Sequence, residues 1–477
     1  MRKLSAFSHL IFLYFIANVS NGDGFDPVIK LPQFQSLKKQ VKSRRVVSVH
    51  HFGAKGDGIY NDTQAFKDAW EIACSSPLRF TIEVPSGSSF LVGPIEFVGP
   101  CRSKVTLRVT GNIIAPKDPG AWDGLNPRKW LYFTAVKHLT IDGGGVIIGM
   151  GEEWWSRSCK VNISNPCRHA PTVSATSYSE QVHGSFSYVS VTHYLSLVLL
   201  SLIESLLVPY VQAVTFHRCK DLKISNVMTL NSQQMHMAFT NCVRVKASLL
   251  KVIAPVDSPN TDGIHISASS KVEVTNSIIK TGDDCISIVS NSSQIQIRNI
   301  SCMAGHGISI GSLGKSNSWS AVNDVSVDGA LLANTKNGMR IKTWQGGSGF
   351  SRTISFRNVL MENVSNPIII DQYYCDSFLP CSNQTSAVKV EDISFVNITG
   401  TSATEEAIRF ACSDTYPCEE IYVENIQLSS YLGGYTTSFC WNVKGSSWGV
   451  VYPPSCLSCS KSFIELKTLP SNGHLSF

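Results

Sequence analysis

The sequence predicts an all-β solenoid, a stack of short strands with one helix at its N-terminal end. Three observations carry this expectation. From about Val46 to Val423 the chain consists of short runs with an apolar residue at every second place, the strand period; 105–109 (VTLRV), 139–142 (LTID), 222–225 (LKIS), 272–275 (VEVT) and 295–298 (IQIR) are examples. In the middle of the chain a pattern returns at a fixed step of 22 residues, a period in the solenoid range. A helical apolar face stands near the start, made of Ala65, Phe66, Ala69, Trp70 and Ala73.

In chain order, residues 1–22 read as an export signal. Arg2 and Lys3 give a positive start and 10–17 (LIFLYFIA) is apolar but too short to span a bilayer. Small and polar residues follow and place cleavage near Asn21 or Gly22. Residues 23–45 form an N-terminal extension, and 46–477 form the solenoid domain. Asp62 or Thr63 is placed to cap the helix, which would cover the open end of the stack, where an unpaired edge invites association.

The repeat is clearest across three segments, Asn260-Thr-Asp-Gly-Ile-His-Ile266, Gly282-Asp-Asp-Cys-Ile-Ser-Ile288 and Gly305-His-Gly-Ile-Ser-Ile310. Asp262, Asp284 and His306 are 22 residues apart, as are Ile264, Ile286 and Ile308. In stacked coils equivalent residues lie one strand spacing apart, about 4.8 Å. The isoleucines then form an inward ladder, and Asp262, Asp284 and His306 an outward column with Asp283 beside it. Residues two apart share a face in a regular strand, so the aspartates are placed at the strand mouth, where the chain is still turning. Aligning Gly338 of Asn337-Gly-Met-Arg-Ile-Lys342 with Gly307 puts Arg340 level with Ser309 and His265, with Lys342 on the same face.

Export sets the reading of the 15 cysteines: an oxidising compartment points to disulfides rather than to metal or redox sites. Cys375/Cys381 and Cys412/Cys418 are spaced to clip short loops, and Cys285/Cys302 to bridge neighbouring repeats. The one CxxC, Cys456 to Cys459, lacks a partner pair for zinc, and the odd count leaves at least one thiol free or paired elsewhere. Sequons at Asn61, Asn162, Asn291, Asn299, Asn363, Asn383 and Asn397 fit secretion. The net charge of +6, or +4 without the signal's two basic residues, suits a polyanionic partner. No basic tract of the nucleic-acid kind is present, and neither a membrane nor a nucleic acid is expected as partner.

These residues carry a resemblance. Asn260-Thr-Asp-Gly, Gly282-Asp-Asp, Gly305-His-Gly and Arg340-Ile-Lys resemble, in order and spacing, the four signature motifs of polygalacturonases. Tyr60 to Phe66, Thr343 to Ser348 and Ile368 to Cys375 add to it, with the flavour of plant members. The resemblance implies a right-handed parallel β-helix, acting as a monomer, that hydrolyses α-1,4-galacturonan with inversion and without metal or cofactor. It implies Asp283 as the general acid, Asp262 and Asp284 as the pair that activates water, and His306 as the residue that tunes their protonation. Arg340 and Lys342 then bind a galacturonate carboxylate, Tyr374 shapes the site near the scissile bond, and Asn260 joins the substrate-binding set. The chemistry asks for the same types: a protonated carboxyl on one side of the bond, a carboxylate on the other, and cations for a substrate with a carboxylate on each sugar. Crowded carboxyls keep one pKa raised. Carboxyls on adjacent coils are expected nearer than the roughly 6.5–9.5 Å typical of inverting enzymes, a tension with the family's stereochemistry. A lyase on the same architecture would need calcium, and the three aspartates with His306 argue against it.

Gln233, Gln234 and His236 are placed either along the substrate groove or in the structure beneath it; Trp154 and Trp155 are expected to pack. Residues 173–212 depart from the pattern, with no Lys, Arg or Asp and an apolar tract at 194–203. We read them as an unspliced intron translated in frame, with a genuine surface loop or a membrane-associating segment as alternatives. If they spoil folding or the groove, the protein would be a catalytically impaired β-helix wall or pectin-binding protein.

Overall fold

The computed structural model describes residues 44–126, 128–158, 160–161, 212–377 and 380–457. The export signal, all but the end of the extension, and the insert apart from Gln212 lie outside them. Among the described residues no helix is long and apolar enough to cross a membrane.

The strands form a parallel β-helix. Among the described residues, one sheet has eleven strands that follow one another in strict chain order, so each strand pairs with its equivalents in the coils before and after it. The other has nineteen strands and carries the remaining faces of each coil. Every strand pairing in the central coils is parallel, including Ile264↔Ile286↔Ile308↔Met339↔Ile368↔Ile408, which is the inward ladder read from the 22-residue step. A second inward column runs Phe216, Phe239, Ile266, Ile288, Ile310, Ile341, Ile370 and Phe410. Its N-terminal rings stack, with centroids 4.5 Å apart for Phe97 and Phe133, 5.2 Å for Phe133 and Phe216, and 5.5 Å for Phe216 and Phe239. Burying each such side chain contributes about 1.5–3 kcal/mol, and each coil supplies one to each column.

Corners of the coils depend on residues that tolerate a left-handed backbone. Asn276, Asn299, Asn358, Asn397 and Asn425 all have positive φ, and Gly329 occupies the equivalent place between Asn299 and Asn358. Asparagine visits this region more readily than other side chains. Here it gains a second advantage, because the amides form a ladder: Asn299 donates to Asn276 at 3.1 Å, Asn397 to Asn358 at 3.2 Å and Asn425 to Asn397 at 3.2 Å. Two of the sequons, Asn299 and Asn397, therefore spend their amides on this ladder.

Helix Thr63–Ser75 buries the face expected of it, Ala65, Phe66, Ala69, Trp70 and Ala73. Its capping differs from the expectation. Asp62 holds the N-cap position but its carboxylate accepts the backbone N–H groups of Lys55 at 2.7 Å and Gly56 at 3.1 Å, closing the preceding loop. Thr63 Oγ1 accepts from Gly93 N–H, and Asn61 Oδ1 accepts the Thr63 N–H instead. Disulfides join Cys285–Cys302, Cys375–Cys381 and Cys412–Cys418 as expected, with Cys74–Cys101 and Cys440–Cys456 in addition. Cys219 and Cys242 are buried free thiols. Gln212, the last residue of the expected insert, opens the strand Gln212–His217 and pairs with Lys129, so the coil resumes one residue earlier than read.

The corner ladder makes a test. Asn358 sits at φ 53°, accepts from Asn397 and donates to Asp328 at 2.7 Å. Asn358→Ala should lose about 1–2 kcal/mol from the left-handed backbone alone, seen as a lower urea midpoint at unchanged m-value. An unchanged midpoint would show that the ladder does not support the corners.

Candidate active site

The outer face of the eleven-strand sheet gathers the site. Strands Ile264–Ser267, Ile286–Ile288 and Ile308–Leu313 each begin two residues after Asp262, Asp284 and His306. The three side chains thus stand at the strand mouth, before alternation takes hold, as the sequence required. Gly305 and Gly307 flank His306 at φ 87° and 78°, and a Cβ at Gly307 would collide with the Asn337 carbonyl. Arg340 and Lys342 lie in the strand Asn337–Thr343, with Arg340 paired to Ser309 in register.

Asp284 is the most heavily bonded carboxylate. Its Oδ1 accepts from Arg340 Nη2 at 2.6 Å and from Ser309 Oγ at 2.7 Å, and its Oδ2 accepts from Lys342 Nζ at 2.8 Å. Arg340 Nε also donates to Ser309 Oγ at 3.0 Å. Burial would raise the Asp284 pKa, but Lys342 and Arg340 outweigh it and hold the carboxyl below its ordinary value. Asp262 is in the opposite state. Burial first, then the charges of Asp283 and Asp284, push its pKa well above the usual 3.8, against the Ser287 hydroxyl that donates to Oδ2 at 2.7 Å. Asp283 Oδ1 meets His306 Nδ1 at 2.9 Å and accepts the Asp284 N–H at 2.8 Å. Burial opposes ionisation there too, but His306, with Lys342 and Lys160, holds Asp283 below the carboxylate range. Asp283 Oδ2 has no hydrogen-bond partner among the described residues, so one oxygen remains for a substrate.

Three residues of the site were not singled out from the sequence. His265 Nδ1 lies 2.8 Å from Ser287 Oγ, which in turn donates to Asp262. When Asp262 is ionised the serine proton goes to the carboxylate and His265 donates from Nδ1; burial lowers the His265 pKa to about 4 and keeps it neutral. Ser309 supports Asp284 in the same way. His265, Ser287 and Ser309 are spaced by the same 22 residues as the aspartates, so the signal was present in the repeat.

Tyr374 joins the group, its ring centroid 5.2 Å from Lys342 Nζ and packed edge-on against Trp344 at 5.5 Å. Burial raises its phenol pKa and keeps it protonated. Asn260 sits in a left-handed turn and accepts from Lys160 Nζ at 3.0 Å, while Lys160 pairs with Asp376 at 3.5 Å. Gln233, Gln234 and His236 are buried, with His236 Nδ1 turned to Thr229 Oγ1 at 2.9 Å. Trp154 and Trp155 pack as expected, Trp154 edge-on to Trp122 and Trp155 bonded to the Ser232 carbonyl. Asp283, Asp284 and His306 bring ligand-type atoms within 4.8 Å of one another. A metal ion there would have to displace the two cations and the hydroxyl that fill Asp284.

The model of glycosyl hydrolases family 28 matches residues 74–186 and 210–458. The chain belongs to this family. It is 51% identical over 451 residues to a probable polygalacturonase of Arabidopsis thaliana, covering 94% of this chain and 93% of that protein. It is 44% identical to a polygalacturonase of Persea americana, over 88% of this chain and 82% of that one. Among solved structures it shares the fold of an exopolygalacturonase from Thermotoga maritima, with TM-score 0.65, 20% identity and coverage of 85% and 90%. The chain is thus a glycoside hydrolase on a parallel β-helix. The family match breaks at 187–209, inside the expected insert. The column of Asp262, Asp283, Asp284 and His306 is assembled all the same, and the reading of an impaired binding protein finds no support.

The unequal carboxyls give a testable sign. The Asp262 pKa is raised on folding, so the folded state binds a proton there more tightly and stability falls as pH rises above the unfolded value of 3.8. Asp262→Asn should raise Tm at pH 7, with the difference shrinking towards pH 4, while kcat falls at least about 100-fold. A lower Tm at pH 7 would mean that Asp262 is a stabilising anion.

Proposed function

We propose that this glycoside hydrolase cleaves α-1,4-galacturonosyl linkages of de-esterified pectin, endo-acting and with inversion, as a secreted monomer that remodels the cell wall. The observation that carries the substrate is the meeting of a buried cation pair, Arg340 and Lys342, with three carboxyls of unequal protonation. Five disulfides among the described residues support an oxidising destination. The outer sheet face runs on past the site in both directions, from Tyr132 and Thr215 to Arg409 and Phe439, which supports attack within a chain.

In this reading the substrate carboxylate is drawn to Lys342 and Arg340, whose further N–H groups remain for it beyond those spent on Asp284. Asp283 protonates the leaving glycosidic oxygen through Oδ2 as the C1–O bond breaks. A carboxylate of the Asp262 and Asp284 pair takes a proton from the water that attacks C1. In the unliganded site the raised pKa belongs to Asp262 and the lowered one to Asp283, the reverse of what the reaction needs. A galacturonate anion seated beside Lys342 supplies the correction: it screens the cation from Asp283, adds negative charge, and expels water, each of which raises an acid's pKa. The substrate thereby helps to charge its own acid. Inversion follows the family, and Asp283 and Asp284 stand closer than the spacing of inverting pairs.

Product analysis on polygalacturonate tests this reading, with ¹H NMR to read the anomer released first. Oligogalacturonides of mixed length and the inverted anomer are expected; unsaturated products or no cleavage by folded enzyme would refute it. Asp283→Asn should abolish turnover with oligogalacturonate Kd largely kept. Lys342→Ala should lower kcat/KM about 10- to 100-fold. Near-normal kcat in the first, or unchanged kcat/KM in the second, removes that residue from its role.

A further inference from the structure

Beyond the catalytic column the outer face of the sheet carries a second cation set among aromatic rings. Arg409 is level with Arg340, two coils further on through Ile369, and Phe439 follows it in the next coil. At one strand spacing per coil, Arg409 lies about 10 Å from Arg340 along the stack and Phe439 about 14 Å. The Arg409 guanidinium lies 4.6 Å from the Phe439 ring centroid, and its Nη1 meets Glu406 Oε1 at 2.9 Å. Trp441 stands two residues after Phe439 on the same face, in register with Ala411, Asp371 and Lys342. Its indole N–H donates to Asp414 Oδ1 at 2.8 Å, which fixes the ring, yet the residue is 52% exposed. Phe439 is also exposed.

An exposed tryptophan held in one orientation is a ready apolar platform, and a guanidinium held against a ring keeps its charge in place. Ile369 stands on the coil between the two cations and is buried. We propose that Arg409, Phe439 and Trp441 form a distal subsite for a uronate-rich polysaccharide. Arg409 takes the carboxylate of one sugar and Trp441 carries the ring of a neighbour. The inference rests on the galacturonan reading of the catalytic column, since it is the same chain that continues across these coils. Such a subsite rewards long substrates and gives nothing to those that end before it.

The test is a chain-length series on the full-length enzyme, comparing trigalacturonate with oligogalacturonates of a dozen or more sugars. Arg409→Gln and Trp441→Ala are each expected to lower kcat/KM on the long chains about 5- to 10-fold, leaving the trimer unchanged, and Trp441→Tyr to restore most of the loss. Unchanged kcat/KM on long chains overturns the subsite. Equal losses on trimer and long chains also overturn it, because they mark a fault in folding or in the catalytic column. Failure of the wild-type enzyme to cleave any galacturonan would instead sink the substrate reading, and the subsite with it.

Discussion

The ion cluster around Asp284 is the constraint on which the rest of the site depends. One carboxylate accepts from Arg340, Lys342 and Ser309, and all four residues are almost wholly buried. Burying such charges costs several kcal/mol for each ion and is offset only by good geometry with every lone pair occupied. The β-helix provides that geometry, because the partners come from successive coils whose register is fixed by the inward columns of isoleucine and phenylalanine. A slip of one residue would turn Arg340 and Lys342 into the core. The apolar ladder and the charged column are thus two faces of one repeat, and neither can shift without the other.

From that fixed anion the protonation of the neighbours follows. Asp284 cannot easily take a proton while two cations hold it, so burial and then the repulsion between carboxyls place the proton on Asp262, whose hydrogen-bond partner is the Ser287 hydroxyl. Asp283 is kept ionised by a different partner, His306, on the next coil. The site therefore stores its proton on Asp262, away from the unbonded Asp283 Oδ2. In the proposed mechanism an incoming anion that draws on Lys342 would alter both settings at once and couple binding of a uronate to the readiness of the acid.

The fold and most of this column were legible in the sequence for a physical reason. A solenoid converts a constant sequence step into a constant position in space, so the 22-residue spacing of Asp262, Asp284 and His306 named a column before any coordinate did. The match of Gly338 to Gly307 carried Arg340 to the level of Ser309 across a longer loop. His265, Ser287 and Ser309 lay in the same step but were given no role, because polar residues beside strands are common and their importance arises from the carboxyls above them. The asparagine ladder was not legible, since Asn299, Asn358, Asn397 and Asn425 follow loops of unequal length and share no fixed step. The role of Asp62 was misplaced, and that of His236 was left open between groove and interior, because burial, not pattern, decides where such a side chain faces.

The uneven protonation of Asp262, Asp283 and Asp284 is open to carboxyl titration. In the unliganded enzyme labelled with ¹³C at aspartate carboxyls, the resonance lost in Asp262→Asn should titrate well above the ordinary 3.8. The resonances lost in Asp283→Asn and Asp284→Asn should stay in the ionised range down to lower pH than an ordinary aspartate. A titration in which Asp262 ionises at or below the ordinary value, or in which Asp283 holds the proton of the empty site, would contradict the account.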